Sequence, residues 1–107
     1  MDALNLYQQY FPAECTVNGI LRRAVKVMLT VESGSGQICY KAAVNFFRHE
    51  DDEDFCIQCD GYFEQILYQN KGRRSKKREA EYLGKIREYA DALAAAQNGT
   101  ILWEQTL

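Results

Sequence analysis

Two stretches of the chain alternate apolar and polar residues with period two. From Leu21 to Glu32, Val25, Val27, Leu29 and Val31 alternate with Lys26, Met28, Thr30 and Glu32. In the next run, Ile38, Tyr40, Ala42, Val44 and Phe46 share one side. This alternation, rich in β-branched and aromatic residues, marks strands with one buried face. Ser33-Gly34-Ser35-Gly36 joins the two runs with small residues suited to a tight turn. The pair predicts a long antiparallel hairpin. A different period appears later, where Leu83, Ile86, Ala90, Leu93 and Ala94 recur at helical spacing. They predict a helix from Ser75 to Gln97 with a core-facing stripe. Glu81 and Lys85 add an i,i+4 pair, and Asn98-Gly99 supplies a C-cap.

The rest of the pattern is less regular. Residues 3–10 predict a short helix with Leu4, Leu6, Tyr7 and Tyr10 as its apolar side, ended by Pro12. Cys15 to Gly19 reads as a loop. Phe55, Ile57 and Cys59 alternate as a third strand up to Asp60-Gly61. The stretch 62–70 fits either element. Phe63, Ile66 and Leu67 suit a helix, while Tyr62, Glu64, Ile66 and Tyr68 suit a strand. Its Glu and Gln content favours the helix. Thr100 to Thr106, with Ile101 and Trp103 on one face, predicts a short final strand. The expected fold class is α+β. An antiparallel sheet of three to four strands (the long β-hairpin, the third strand and the short C-terminal strand) packs against one long helix and one or two short helices.

Length and composition fit this layout. The chain has 107 residues, of which 47% are apolar and 26% charged, the profile of a single small globular domain spanning 1–107. No apolar run approaches the roughly 18 to 20 residues that a membrane helix needs. The first ten residues lack the basic region and apolar run of a signal peptide, which points to a cytoplasmic protein with reduced cysteines.

Charge changes the picture more than composition does. Glu50, Asp51, Asp52, Glu53 and Asp54 form an unbroken acidic run. Six of the eight positions from 71 to 78 are basic: Lys71, Arg73, Arg74, Lys76, Lys77 and Arg78. The net charge of -2 therefore conceals two patches of opposite sign, each with a strong local field. The simplest use of the acidic run is to keep a loop between strands soluble. Clustered carboxylates also suit Ca²⁺ or Mg²⁺, but this run lacks the alternating Asp/Asn spacing and the glycine of a calcium loop. A third use is nucleic-acid mimicry. An extended chain advances about 3.3 Å per residue, and a DNA strand about 3.4 Å per phosphate. Five consecutive carboxylates thus match the charge spacing of one strand and suit a groove lined with Lys and Arg.

The basic run straddles the predicted helix start. Cations there oppose the helix macrodipole at about 0.3 to 1 kcal/mol each, so helix stability does not explain them. They can serve as salt partners for the acidic run, as a contact to an acidic protein, or as a phosphate site at a helix N-terminus. Tyr68 and Tyr82 lie nearby and can either stack on bases or join the core. A pI of about 5.4 and the lack of a recognised nucleic-acid motif argue against direct nucleic-acid binding as the first reading.

Cys56-Ile57-Gln58-Cys59 has the spacing that lets two thiolates reach one metal through a turn. With His49 and either Cys39 or Cys15 it would make a four-ligand set suited to structural zinc. In a regular strand, however, Cys56 and Cys59 point to opposite faces, so shared ligation needs a bulge there. Small core hydrophobes are the competing role for these cysteines. Redox chemistry at this CxxC is disfavoured by the carboxylates before it.

No phosphate-binding glycine loop, nucleophile elbow or paired-histidine metal motif occurs in the chain. The expectation is a non-enzymatic module that needs no cofactor, with zinc the one candidate. Its partner would be a protein, bound through the acidic run; direct nucleic-acid binding through Lys71 to Arg78 is the alternative. A homodimer in which the two runs pair between subunits is a third reading. In general character (a small acidic domain with an acidic loop and no catalytic motif) the chain resembles phage or mobile-element accessory proteins. That class includes anti-CRISPR inhibitors, many of which block a nucleic-acid-binding protein. The resemblance implies an inhibitor.

Overall fold

In the computed structural model, which describes residues 2–48 and 61–105, the two alternating runs form the centre of an antiparallel sheet. The elements are β1 (Asp2–Val17), β2 (Ile20–Gly34), β3 (Gln37–Phe47), β4 (Tyr62–Lys71), α1 (Lys76–Ala96) and β5 (Thr100–Ile101). The strands lie in the order β4-β3-β2-β1-β5. β2 and β3 pair without interruption from Gly34↔Gln37 to Ala24↔Phe47. Ser35 and Gly36 link them with φ of 54° and 75°, the two-residue turn whose twist matches that of its strands.

One face of the sheet is the core. Phe11, Val25, Val27, Leu29, Ala42, Val44 and Phe46 are buried there against Ile86, Ala90 and Ala94 of α1. The small side chains at positions 90 and 94 let the helix lie close to the strands. The stripe steps by four, from the half-buried Tyr82 through Ile86 and Ala90 to Ala94. Leu83 falls to its side and keeps 40% of its surface exposed, contrary to the sequence expectation. A smaller cluster of Val31, Ile38 and Tyr40, flanked by Tyr68 and Tyr82, fills the end of the sheet nearest the start of α1.

The fold class is α+β as expected, but the helix count and strand count differ in detail. The helix predicted at 3–10 is part of β1, and the helix favoured at 62–70 is β4. Both departures have one physical cause. β1 shifts register at Leu6, between Asn5↔Thr30 and Tyr7↔Leu29. β4 shifts at Leu67, between Tyr68↔Tyr40 and Ile66↔Lys41. A bulge inserts one extra residue and breaks the period of two. Leu6 and Tyr7, adjacent in sequence, thereby both pack against the core, whereas Leu4 keeps 49% of its surface exposed, so the strand's apolar positions lose their alternation. Tertiary pairing then overrides the helix propensity of Glu and Gln in β4. The final strand covers only Thr100–Ile101 rather than extending to Thr106, and it pairs with Ala13 and Glu14. The third strand expected at Phe55 to Cys59 lies outside the described residues. No helix among the described residues is long and apolar enough to cross a membrane.

Candidate anion-binding corner

The basic run forms the corner where β4 turns into α1. Lys71 closes β4, and Gly72 follows at φ +137°, a backbone conformation that disfavours side chains. Its amide donates to the Gly36 carbonyl at 2.8 Å, tying the corner to the β2–β3 turn. Ser75 is the N-cap of α1. Its Oγ accepts from the Arg78 amide at 3.2 Å, and its carbonyl accepts from the Glu79 amide at 2.9 Å. This arrangement relieves part of the donor excess at a helix start.

Beneath the cap sits Tyr40, fully buried on β3. Its hydroxyl accepts from the Ser75 amide at 2.9 Å and donates to Glu79 Oε2 at 2.7 Å. Glu79 in turn accepts a forked contact from Arg74, with Nε at 3.0 Å and Nη2 at 2.8 Å. The planar guanidinium matches the carboxylate in this geometry. The Arg74 hydrogen bond, supported by that of Tyr40, holds the Glu79 carboxyl below its ordinary pKa, although burial opposes the shift. Burial pushes the Tyr40 hydroxyl up, and Glu79 adds to the effect. Tyr40 also contacts the rings of Tyr82 at 5.4 Å and Tyr68 at 6.4 Å. Arg78 lies over the Tyr68 ring, 4.1 Å from its centroid.

The six cations therefore divide into two groups. Arg74 and Arg78 are engaged within the corner, Arg74 by Glu79 and Arg78 by the Tyr68 ring, although Arg74 stays exposed. Lys71, Arg73, Lys76 and Lys77 are exposed, and no carboxylate among the described residues lies within ion-pair distance of them. Four outward positive charges on a rigid turn, beside a helix start with its own partial positive charge, form a surface suited to anions.

The opposite side of β3 shows the contrast. There Lys41 is held between Glu32 at 3.4 Å and Glu64 at 3.8 Å. Partial burial works against its charge, yet the hydrogen bond to Glu32 and the fields of Glu32 and Glu64 together raise its pKa. A cavity of about 180 Å³ beside it is lined by Glu32, Cys39, Lys41, Ile66 and Gln69 among others. Its one cation is already matched by carboxylates.

Of the site residues expected from sequence, Arg73, Arg74, Lys76 and Lys77 meet at the corner, but Arg74 is engaged by Glu79. His49, Glu50, Asp51, Asp52, Glu53, Asp54, Cys56 and Cys59 lie outside the described residues. Cys39 and Cys15 are both buried. Cys15 belongs to the core cluster, whereas Cys39 pairs in register with Glu32 and Gln69. Cys39 stands eight residues before Phe47 on β3, roughly 26 Å along an extended strand. It is thus at the opposite end of β3 from Phe47. Burial raises the Cys15 thiol pKa. Among the described residues, no group of three or more His, Cys, Asp and Glu is placed to hold a metal ion.

Sequence reasoning missed Tyr40, Glu79 and the Gly36–Gly72 contact. Tyr40 reads there as one more member of an apolar face, and its partners Ser75 and Glu79 are 35 and 39 residues away. Nothing local signals such a contact. No family model matches the chain, and no curated protein or solved structure matches it at a significant level.

Proposed function

We propose that this protein is a non-enzymatic binding module that engages the phosphates of a nucleic acid at the β4–α1 corner. One observation carries the reading. Lys71, Arg73, Lys76 and Lys77 point outward with no described carboxylate in ion-pair range, while their neighbours Arg74 and Arg78 are spent on rigidity. Cations in a first helical turn are unfavourable for the helix itself, so their retention suits a role in binding. The overall charge of -2 limits the affinity of such a contact without removing the local field.

The test is fluorescence anisotropy of a labelled single-stranded oligonucleotide at several salt concentrations. Four phosphate contacts predict a log–log salt slope of about -3. Changing Lys71, Arg73, Lys76 and Lys77 together to Ala abolishes that binding and leaves the fold intact. Binding that is absent at low salt, or that survives the fourfold change, defeats the reading.

A second reading rests on the run at 50–54, whose charge spacing resembles a nucleic-acid strand. In it the module is an inhibitor of anti-CRISPR type that occupies the basic groove of a nucleic-acid-binding protein. The partner would then be a basic protein, captured at low salt and lost on charge reversal of Asp51, Asp52 and Glu53. The two readings separate cleanly, because the fourfold alanine variant removes the first and spares the second.

A further inference from the structure

The face of the sheet away from α1 carries a cavity of its own. Side chains alternate along β3, so Cys39 and Lys41 point away from the core face that Ile38, Tyr40 and Ala42 share. Glu32 of β2, Cys39 of β3 and Gln69 of β4 stand side by side in register. Lys41 and Ile66 form the next pair across β3 and β4 on this face. A short cysteine between two longer side chains leaves a hollow, the cavity of about 180 Å³ that Gln37 also lines. Its volume exceeds the roughly 150 Å³ that holds a benzene ring inside a protein.

The charges at this cavity do not balance. One ammonium, Lys41, is shared between two carboxylates, Glu32 at 3.4 Å and Glu64 at 3.8 Å. The trio therefore keeps a net negative charge. Glu64 has a further donor in the Tyr62 hydroxyl at 2.7 Å. Glu32 has only Lys41 as a side-chain partner among the described residues, and only at Oε1. Gln37 and Gln69 add amide oxygens to the lining, and Ile66, 54% exposed, adds an apolar wall. Lys71 pairs in register with Gln37 but does not line the cavity.

We infer that this cavity is a binding site for a small organic cation, a guanidinium or ammonium on a short apolar stem. The head pairs with Glu32 and the amide oxygens, and the stem lies against Ile66 and Cys39. A guanidinium suits the site best, because its planar fork matches a carboxylate and spreads its donors over several acceptors. An anion is disfavoured, since the cation it would meet is already held by two carboxylates. The cavity shares no residue with the β4–α1 corner, so the inference stands or falls apart from the phosphate reading.

The experiment is an NMR titration of the isotope-labelled full chain with n-butylguanidinium, with butyrate as the anionic control at equal ionic strength. Butylguanidinium is expected to shift the amides of Cys39, Lys41, Ile66 and Gln69 saturably, and butyrate to shift none of them. Glu32→Gln is expected to weaken that binding by about tenfold or more, the loss of one charge-assisted contact. Lys41→Met keeps an apolar stem, frees Glu32 from its internal partner and is expected to strengthen binding. General damage to the fold does not strengthen binding, so Lys41→Met decides if Glu32→Gln fails to fold. A blocked tripeptide with a central arginine separates two sources of the cation. Tighter binding than butylguanidinium assigns it to an arginine side chain of a partner protein, and binding no tighter assigns it to a free small molecule. Four results overturn the inference: no saturable shift with butylguanidinium, butyrate binding at the same amides, undiminished binding in a folded Glu32→Gln, or binding no stronger in Lys41→Met.

Discussion

The two ends of α1 are held by different physics. The N-terminal end rests on polar contacts: Ser75 caps it, Tyr40 bridges Ser75 and Glu79, and Arg74 closes on Glu79. Its outer surface is left free for charge. The C-terminal end is held by close approach. The Gly99 amide donates to the Ala94 carbonyl at 2.9 Å, and Thr16 donates to the Gln97 carbonyl at 3.1 Å. A side chain at Gly99 would run into the Glu14 carbonyl and the Cys15 backbone and sulfur. Trp103 seals the flank, donating to Asp91 at 2.7 Å and packing edge-on against Phe11 at 4.7 Å. The end built by contact is closed by backbone around Gly99. The end built by hydrogen bonds keeps a rigid floor under an open, cationic surface.

The sharpest break in this contrast comes at the packed end. Gly99→Val forces a branched side chain into backbone and is expected to destabilise the fold by more than about 3 kcal/mol, seen as a lower urea midpoint. At the polar end, Tyr40→Phe removes two hydrogen bonds and leaves the part-buried Ser75 amide without its acceptor, while Glu79 keeps Arg74. A loss of about 1 to 3 kcal/mol is expected by the same measurement, with the sheet retained by circular dichroism.

Glu79 turns the comparison into a pH dependence. Its folded pKa is lowered, chiefly by Arg74. The stability it contributes is therefore present above the unfolded carboxylate value of about 4.3 and is lost as pH falls through the lower, folded value. Glu79→Gln should lower stability at neutral pH and flatten the acid limb of the profile in that window.

The smallest expected effect has the opposite sign. Lys77→Glu replaces a cation that opposes the helix macrodipole and should stabilise the protein by about 0.3 to 1 kcal/mol. The same change should weaken nucleic-acid binding at the corner. Gain of stability with loss of binding would show that the cations are kept for contact. Loss of stability instead would mean that they serve the fold.

Part of this architecture was legible along the chain. The β2–β3 hairpin and α1 declare themselves because their periods, their turn at Ser35-Gly36 and their cap at Ser75 are local properties. The cationic cluster was legible for the same reason, since Lys71, Arg73, Lys76 and Lys77 are neighbours in sequence. β1 and β4 were not legible as strands. Bulges at Leu6 and Leu67 disrupt their alternation, and a bulge exists only relative to the strand it pairs with.

Sequence by itself thus determined a long hairpin, a long amphipathic helix and the concentration of charge before it. Tertiary structure decided which charges are used up and which remain available. Arg74 and Lys76 look alike in the run, yet Arg74 is bound to Glu79, a carboxylate that a tyrosine on a distant strand also holds, while Lys76 faces outward. Arg22 and Arg23 look alike too, and only packing buries one and exposes the other. Local periodicity reports what a residue prefers; the residues that reach it from other strands determine what it can bind.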